Sequence, residues 1–443
     1  MNRRALLFAP LLLSSALFAA EFPVTQYGAK GDGTAVDTAA IQRAIDAAAK
    51  AGHGATVVFK PGVYLTGSVF LKSGMNMRID EGVTLRGVQD QAAYPVMRTR
   101  ISGIEMSWPA ALLNVYEQSG VKISGKGTVD GDGKQWWDRY WHMRRDEYEP
   151  KGLRWAVDYD CPRPRLIQIY KSSNVDLEGL NLQRSAFWTV HICYSEHVNV
   201  EGITIRNNIG GRGPSTDGID IDSSSAVLVQ HCDIECNDDA LCLKSGRDSD
   251  GLRVNRPTEK VTLLDNTVRG GAAGVTVGSE TSGGIRDVQV SGLTVLAGVP
   301  NGILFKSAST RGGVIENIDI RGVTMVDVPT AISVTLNWNP AFSYAKIPDG
   351  MTNVPDYWRV LAAPVPPAQG LPHFRNIRIS DVKASGAKQA FSVSAYPEAV
   401  LKDFEFSNLD IEAKTAGTIQ NTENWKFTDM RIRTADGSKV TVK

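Results

Sequence analysis

The chain has 443 residues, 42% hydrophobic and 22% charged, with 48 basic side chains against 48 acidic ones. That is an ordinary globular balance with ample length for a large core. A formal net charge of zero gives no support to a nucleic-acid or membrane-surface partner held by bulk charge.

Residues 1–20, MNRRALLFAPLLLSSALFAA, set Arg3 and Arg4 ahead of an apolar run that closes on Ala19 and Ala20. This is the pattern of a secretory leader. A membrane anchor is the weaker reading, because spanning takes about 20 apolar residues and this run is shorter. The expected product is a secreted or periplasmic protein, free of the membrane once the leader is removed, with residues 21–443 folding as one domain.

The first element after the leader is a helix. Asp37 is placed to cap it, Ile41, Ala44, Ile45 and Ala48 recur at helical spacing, and Gly52 fits the stop. Beyond it the pattern changes to short β-branched runs punctuated by Gly, Asn, Asp and Ser. NVDLEGLNL (174–182), HVNVEGITI (197–205), AVLVQHCDI (226–234), KVTLLDNTV (260–268), DVQVSGLTV (287–295) and NIDIRGVTM (317–325) are copies of one pattern. NIRISDVKA (376–384) and DFEFSNLDI (403–411) follow, and NMRIDEGVTL (76–85) and GVKISGKGTV (120–129) precede them. Each copy is two alternating strands joined at a bend.

Recurrence at a few tens of residues means a stacked solenoid or a propeller. Period-two alternation excludes helical repeats, and hairpin turns such as Asn-Gly do not recur as a propeller requires. The expectation is an all-β, single-domain, right-handed parallel β-helix with a short N-terminal capping helix, which covers the open first coil. The Pro-rich stretch 361–372 has repeats on both sides and reads as a long loop within that domain.

Five cysteines, Cys161, Cys193, Cys232, Cys236 and Cys242, cannot all pair. Burial in the core is favoured over disulfides. No CxxC pair suggests a zinc or redox site.

The densest polar chemistry lies between 213 and 311. GPSTDGIDID contributes Asp217, Asp220 and Asp222; ECNDDALCLKSGRDSDG contributes Asp238, Asp239 and Lys244; NGILFKS contributes Lys306. Asp217 and Asp238 are about one coil apart, so stacking brings them together. Crowded carboxylates cannot all ionise freely, and a raised pKa makes a proton donor. Glycoside hydrolysis needs one protonated carboxyl and one ionised one. Asp, Asn and Gly also dominate turns, so each motif taken singly reads more readily as a turn, and the one-coil spacing and neighbouring Lys are what count against that.

At these residues the chain resembles glycoside hydrolase family 28, the polygalacturonases and rhamnogalacturonan hydrolases, whose fold is the pectin-lyase-like solenoid. The likeness begins at VTQYGAKGDGTAVDTAAIQRAIDAA (24–48), includes GKGTVDGDGKQWWD (125–138) and the stretch 163–205, and centres on STDGID, NDDALCLKSG, VGSETSGGI and GILFKS. It implies a catalytic domain over 21–443 that acts on a pectic polysaccharide or oligosaccharide as a monomer, by single displacement with inversion and without metal or cofactor. Asp238 is implied as general acid, Asp217 and Asp239 as the pair that activates water, with the wide carboxyl separation of inverting enzymes. Lys306 matches the family's substrate-gripping lysine.

Three positions depart from the family pattern. Ser215 stands where Asn is usual, Ala272 in place of His, and Leu304 in place of Arg. An apolar leaving-group site suits a neutral deoxy sugar, so galacturonate–rhamnose bonds enter as candidate substrates beside galacturonate–galacturonate ones. Arg247, Arg253 or Arg311 could restore the lost guanidinium in space.

Other residues carry two readings each. Trp136, Trp137, Tyr140 and Trp141 beside Arg144 and Arg145 could stack on sugars or pack a loop. His191 and Glu280 could bind substrate, or be a structural histidine and a solvated acid. Arg247, Asp248, Asp250 and Arg253, in the inserted segment 246–257, could wall one end of the cleft and favour cleavage from a chain end. A calcium loop there lacks sufficient ligand spacing. Two other functions compete: a pectate-type lyase, which needs calcium and an arginine base, and a non-catalytic carbohydrate-binding β-helix, which needs no crowded acids.

Overall fold

The computed structural model describes residues 20–442 apart from His53. The expected leader therefore lies, except for Ala20, outside the described residues.

The repeats fold as parallel strands stacked coil upon coil, in the manner of a right-handed β-helix. One coil runs Ile167–Tyr170, Ser173–Glu178 and Asn181–Gln183. Each of these pairs in parallel with its counterpart in the next coil, Val190–Cys193, Glu196–Glu201 and Thr204–Arg206. The register runs Val175↔Val198↔Val227↔Val261↔Val288↔Ile318↔Ile377↔Phe404, the alignment read from the sequence. None of these side chains is more than 2% exposed. Each buries about 1.5–3 kcal/mol of apolar side chain, so the column is the core.

The residue before each rung is the corner. Asn174, His197, Ala226, Lys260, Asp287, Asn317, Asn376 and Asp403 all have φ between 52 and 56°. Asn and Asp tolerate this left-handed conformation best, and Asn376 Nδ2 donates to Asn317 Oδ1 at 2.6 Å, stacking corner on corner.

The helix Thr38–Ala51 buries Ala40, Ile41, Ala44, Ile45 and Ala48 against the first coils. Asp37 precedes it, but its carboxylate makes no cap bond. It accepts instead from the amides of Lys30 (2.7 Å) and Gly31 (3.0 Å), which fixes the loop that enters the helix. The ladder step from Ile318 to Ile377 crosses the Pro-rich stretch.

Insertions build a second, smaller core outside the solenoid. The antiparallel hairpin Val96–Ile101/Ile104–Pro109 and the helix Asp356–Leu361 meet there through Ile101, Trp108, Trp155, Phe187, Trp188 and Trp358. This layer covers the outer face of the sheet that carries the acids. Trp136, Trp137 and Tyr140 are at most 4% exposed and pack; Trp137 Nε1 donates to Ser185 O at 2.8 Å. Trp141 alone of the cluster stays partly open, with Arg144 and Arg145 at 5.5 and 5.0 Å from its ring. All five cysteines are buried and unpaired.

Candidate active site

Strands Ile219–Asp222, Leu241–Lys244, Ala273–Val277 and Asn301–Lys306 lie side by side. Ile219 and Ile221 point into the core. The alternate positions Asp220 and Asp222 point outward, yet are fully buried beneath the insertions. Asp217 and Asp238 sit just before their strands, in adjacent coils. Gly218 makes the close approach possible: its amide donates to Asp239 O at 2.9 Å, and a Cβ there would lie 2.3 Å from Ala240 O.

The loop before Asp217 is pinned from below. Arg163 Nη1 donates to Pro214 O (2.7 Å) and Asn207 Nδ2 to Thr216 O (3.2 Å). Oxygens of Asp217, Asp238 and Asp239 consequently lie within 4.8 Å of one another. Such a trio could hold a cation, but two ammonium groups already serve it. Lys306 Nζ lies 2.7 Å from Asp239 Oδ2. Lys244 Nζ lies 3.5 Å from Asp217 and from Asp220, 3.9 Å from Asp239 and 3.4 Å from Glu280.

The acids outnumber these cations, and the surplus is relieved by protons. Burial, with the charges of Asp220 and Asp238, pushes the Asp217 carboxyl well up. Burial and Asp239 raise Asp238. Burial raises Asp220 to about 8 against the opposing pull of Lys244. For Asp239, burial is outweighed by Lys306 and Lys244, and its carboxyl is held below the usual range. Oδ1 of Asp239 also accepts from Thr276 Oγ1 at 2.9 Å. The site thus pairs proton-holding carboxyls with one fixed carboxylate, the division of labour general acid–base chemistry requires.

The cavity over the trio is narrow, about 50 Å³ in volume. Its walls come from insertions as well as coils: Ser102, Arg154, Trp188, Glu280, Trp338 and Phe342 all line it. Arg247 ties several walls together. Its amide donates to Gly103 O (2.9 Å), Nη1 to the Tyr159 hydroxyl (2.9 Å) and Nη2 to Phe342 O (2.7 Å). Tyr159 OH in turn donates to Ser102 O at 2.8 Å. Gly103 has φ 87°, and a Cβ on it would lie 2.4 Å from Arg247 Cβ, so the hairpin tip presses directly on this knot.

Two expected binding residues sit away from the cavity surface. His191 is fully buried; its Nδ1 is 2.7 Å from Arg165 Nη1, and its ring packs edge-on to Trp188 at 4.8 Å. Burial lowers its pKa to about 4. Arg311 is also fully buried, where it pairs with Asp248. Both act behind the lining because the insertion layer closes over them. Glu280 and Ser215 do line the cavity, and Ser215 Oγ donates to Asp158 Oδ1 at 2.9 Å.

Residues 55–352 match the model of glycosyl hydrolases family 28. The chain belongs to this family. It is similar to a probable polygalacturonase of Vitis vinifera, 32% identical over 71% of this chain and 62% of that protein. It is also similar to the exo-poly-alpha-D-galacturonosidase of Dickeya chrysanthemi, 27% identical over 94% of this chain and 74% of that one. In structure it resembles the exopolygalacturonase of Thermotoga maritima, with TM-score 0.78, 28% identity and coverage of 93% and 92%. The chain thus spans just under two thirds of the grape relative's length.

Membership in family 28 sets aside the lyase and the non-catalytic module. The family's departures take a physical form here. Leu304 is 5% exposed and pairs with Thr276, the residue that holds Asp239. Ala272 offers only backbone groups: its amide donates to Asp238 O at 2.8 Å, and its carbonyl accepts from Asn301 Nδ2 at 3.1 Å. Arg154, Trp338 and Phe342 lie in insertions with no period, so no repeat points to them; Lys244, next to Leu243, is visible as a charge closing the apolar run Ala240–Leu243.

Proposed function

We propose that this protein hydrolyses α-galacturonosyl bonds of pectin from a chain end. The observation that carries chain-end action is the Arg247 knot, which joins the hairpin tip, Tyr159 and the short helix Pro340–Ser343 across one side of the cavity. A substrate can enter such a pocket end-on but cannot thread through it. The names of the Dickeya and Thermotoga relatives support the same reading.

In this reading Asp238 protonates the leaving oxygen, Asp239, the ionised carboxylate, activates water, and Asp217 helps position it. Inverting enzymes set the acid and base carboxyl groups roughly 6.5–9.5 Å apart, and here one oxygen of each member of the trio lies within 4.8 Å of the others. Single displacement then proceeds through a water shared by Asp217 and Asp239. A galacturonate–rhamnose bond is the second reading, favoured by the apolar Leu304 and Ala272. Export rests on the leader-like residues 1–20.

Product analysis on oligogalacturonate and rhamnogalacturonan oligosaccharides, side by side, tests the proposal. Release of single galacturonate units from oligogalacturonate supports it; release only from rhamnogalacturonan favours the second reading.

A further inference from the structure

The family's arginine is missing at Leu304, and the arginines expected to replace it are all committed elsewhere. Arg247 and Arg311 are fully buried, held by carbonyls and by Asp248; Arg311 Nε and Nη2 have no partner among the described residues, but Arg311 does not line the cavity. Arg253 pairs with Glu105 and Asp250, both at 2.7 Å. The lysines are engaged as well, Lys244 among four acids and Lys306 between Asp239 and the Trp338 ring at 4.2 Å.

Arg154 differs. It lines the catalytic cavity with Asp238, and its side chain is only 15% exposed. One edge is fixed, with Nη1 donating to Asp158 Oδ2 at 2.6 Å. One face is fixed, with the guanidinium carbon 5.1 Å from the Phe342 ring centroid. Nε is buried and has no hydrogen-bond partner among the described residues. With Nε out of reach of solvent and Nη1 held by Asp158, Nη2 is the charged donor left to meet a ligand in the cavity.

Charge points the same way. Asp158 is shared, because Arg163 Nη2 lies 3.6 Å from its other oxygen, which also accepts from Ser215. Two guanidiniums on one carboxylate leave a surplus positive charge at the cavity wall. An incoming carboxylate would give Nη2 a charged partner.

We propose that Arg154, oriented by Asp158 and Phe342, is the specificity-determining residue that reads the carboxylate of a uronate sugar in the catalytic cavity. It takes the role vacated at Leu304 from a different element. The inference rests on the proposed galacturonate substrate, but its test needs no turnover.

The test is equilibrium binding of galacturonate and of galactose, by titration calorimetry, to the wild-type protein and to Arg154→Gln and Arg154→Lys. The wild type should prefer galacturonate by about tenfold or more, the worth of a charge-assisted hydrogen bond. Arg154→Gln should bind the two sugars nearly alike. Arg154→Lys, which keeps charge but loses the guanidinium, should fall between them. If Arg154→Gln does not fold by circular dichroism, the Lys variant decides. An unchanged preference in a folded variant, or no preference in the wild type, overturns the proposal. A preference that depends on Arg154 in a protein that cleaves no galacturonan would leave this inference standing and remove the proposed reaction.

Discussion

Lys306 Nζ sits 2.7 Å from Oδ2 of Asp239, and both groups are nearly inaccessible to solvent. This ion pair is what lets one carboxyl of a crowded trio stay ionised: against burial, Lys306 is the leading influence holding Asp239 low. A base must be deprotonated to work, and the acidic limb of kcat/KM reports it. Replacing Lys306 with Met should move that limb to higher pH by about 1–3 units, the usual effect of one close opposite charge. A pH–rate profile checks this; an unmoved limb would place the base elsewhere.

Asp238 is raised by burial and by its neighbour Asp239, so in the proposed reaction it is the proton donor. Asp238→Asn keeps the shape and removes the proton. Turnover should fall by about 10²–10⁴-fold, with the circular dichroism spectrum unchanged. Near wild-type rates would remove Asp238 from the role of acid.

Asp220 is fully buried and neither oxygen has a hydrogen-bond partner among the described residues. Its pKa stands at about 8, against about 4 unfolded. Between those values the native state holds a proton that the unfolded chain has released, so stability falls as pH rises through the window. Asp220→Asn cannot ionise. Its melting temperature relative to wild type should therefore climb from pH 4.5 to pH 8; a pH-independent difference would contradict the burial argument.

Arg247 closes the pocket by gripping three separate segments. Arg247→Met keeps bulk and the amide bond to Gly103 but drops the guanidinium bonds, loosening Tyr159 and the short helix Pro340–Ser343 from this side of the cavity. The product pattern from long oligogalacturonates should shift from single sugars toward mixed oligomers, read by anion-exchange chromatography. Unchanged release of single sugars would assign end closure to other contacts.

The coil register was legible because each rung repeats the same apolar alternation behind a left-handed corner, as at Asn174 before Val175 and Asn317 before Ile318. The acids were legible for a related reason: a coil-length interval in sequence becomes adjacency in space, which sets Asp217 beside Asp239. What stayed hidden lies in the insertions. Arg154, Tyr159, Trp338 and Phe342 meet across long stretches of chain through contacts that follow no period. Asp37 shows the same limit at small scale: its place before the helix was readable, but its bonds to the Lys30 and Gly31 amides were not.

The most direct test of the central claim is a proton NMR time course of hexagalacturonate hydrolysis, begun before product anomers equilibrate. The account predicts free galacturonate as the first product, with the newly formed reducing end as the β-anomer from an α bond. Early trimers, an α-anomer, or an unsaturated sugar would contradict it, each striking a different part: the closed end, the shared water, or hydrolysis itself.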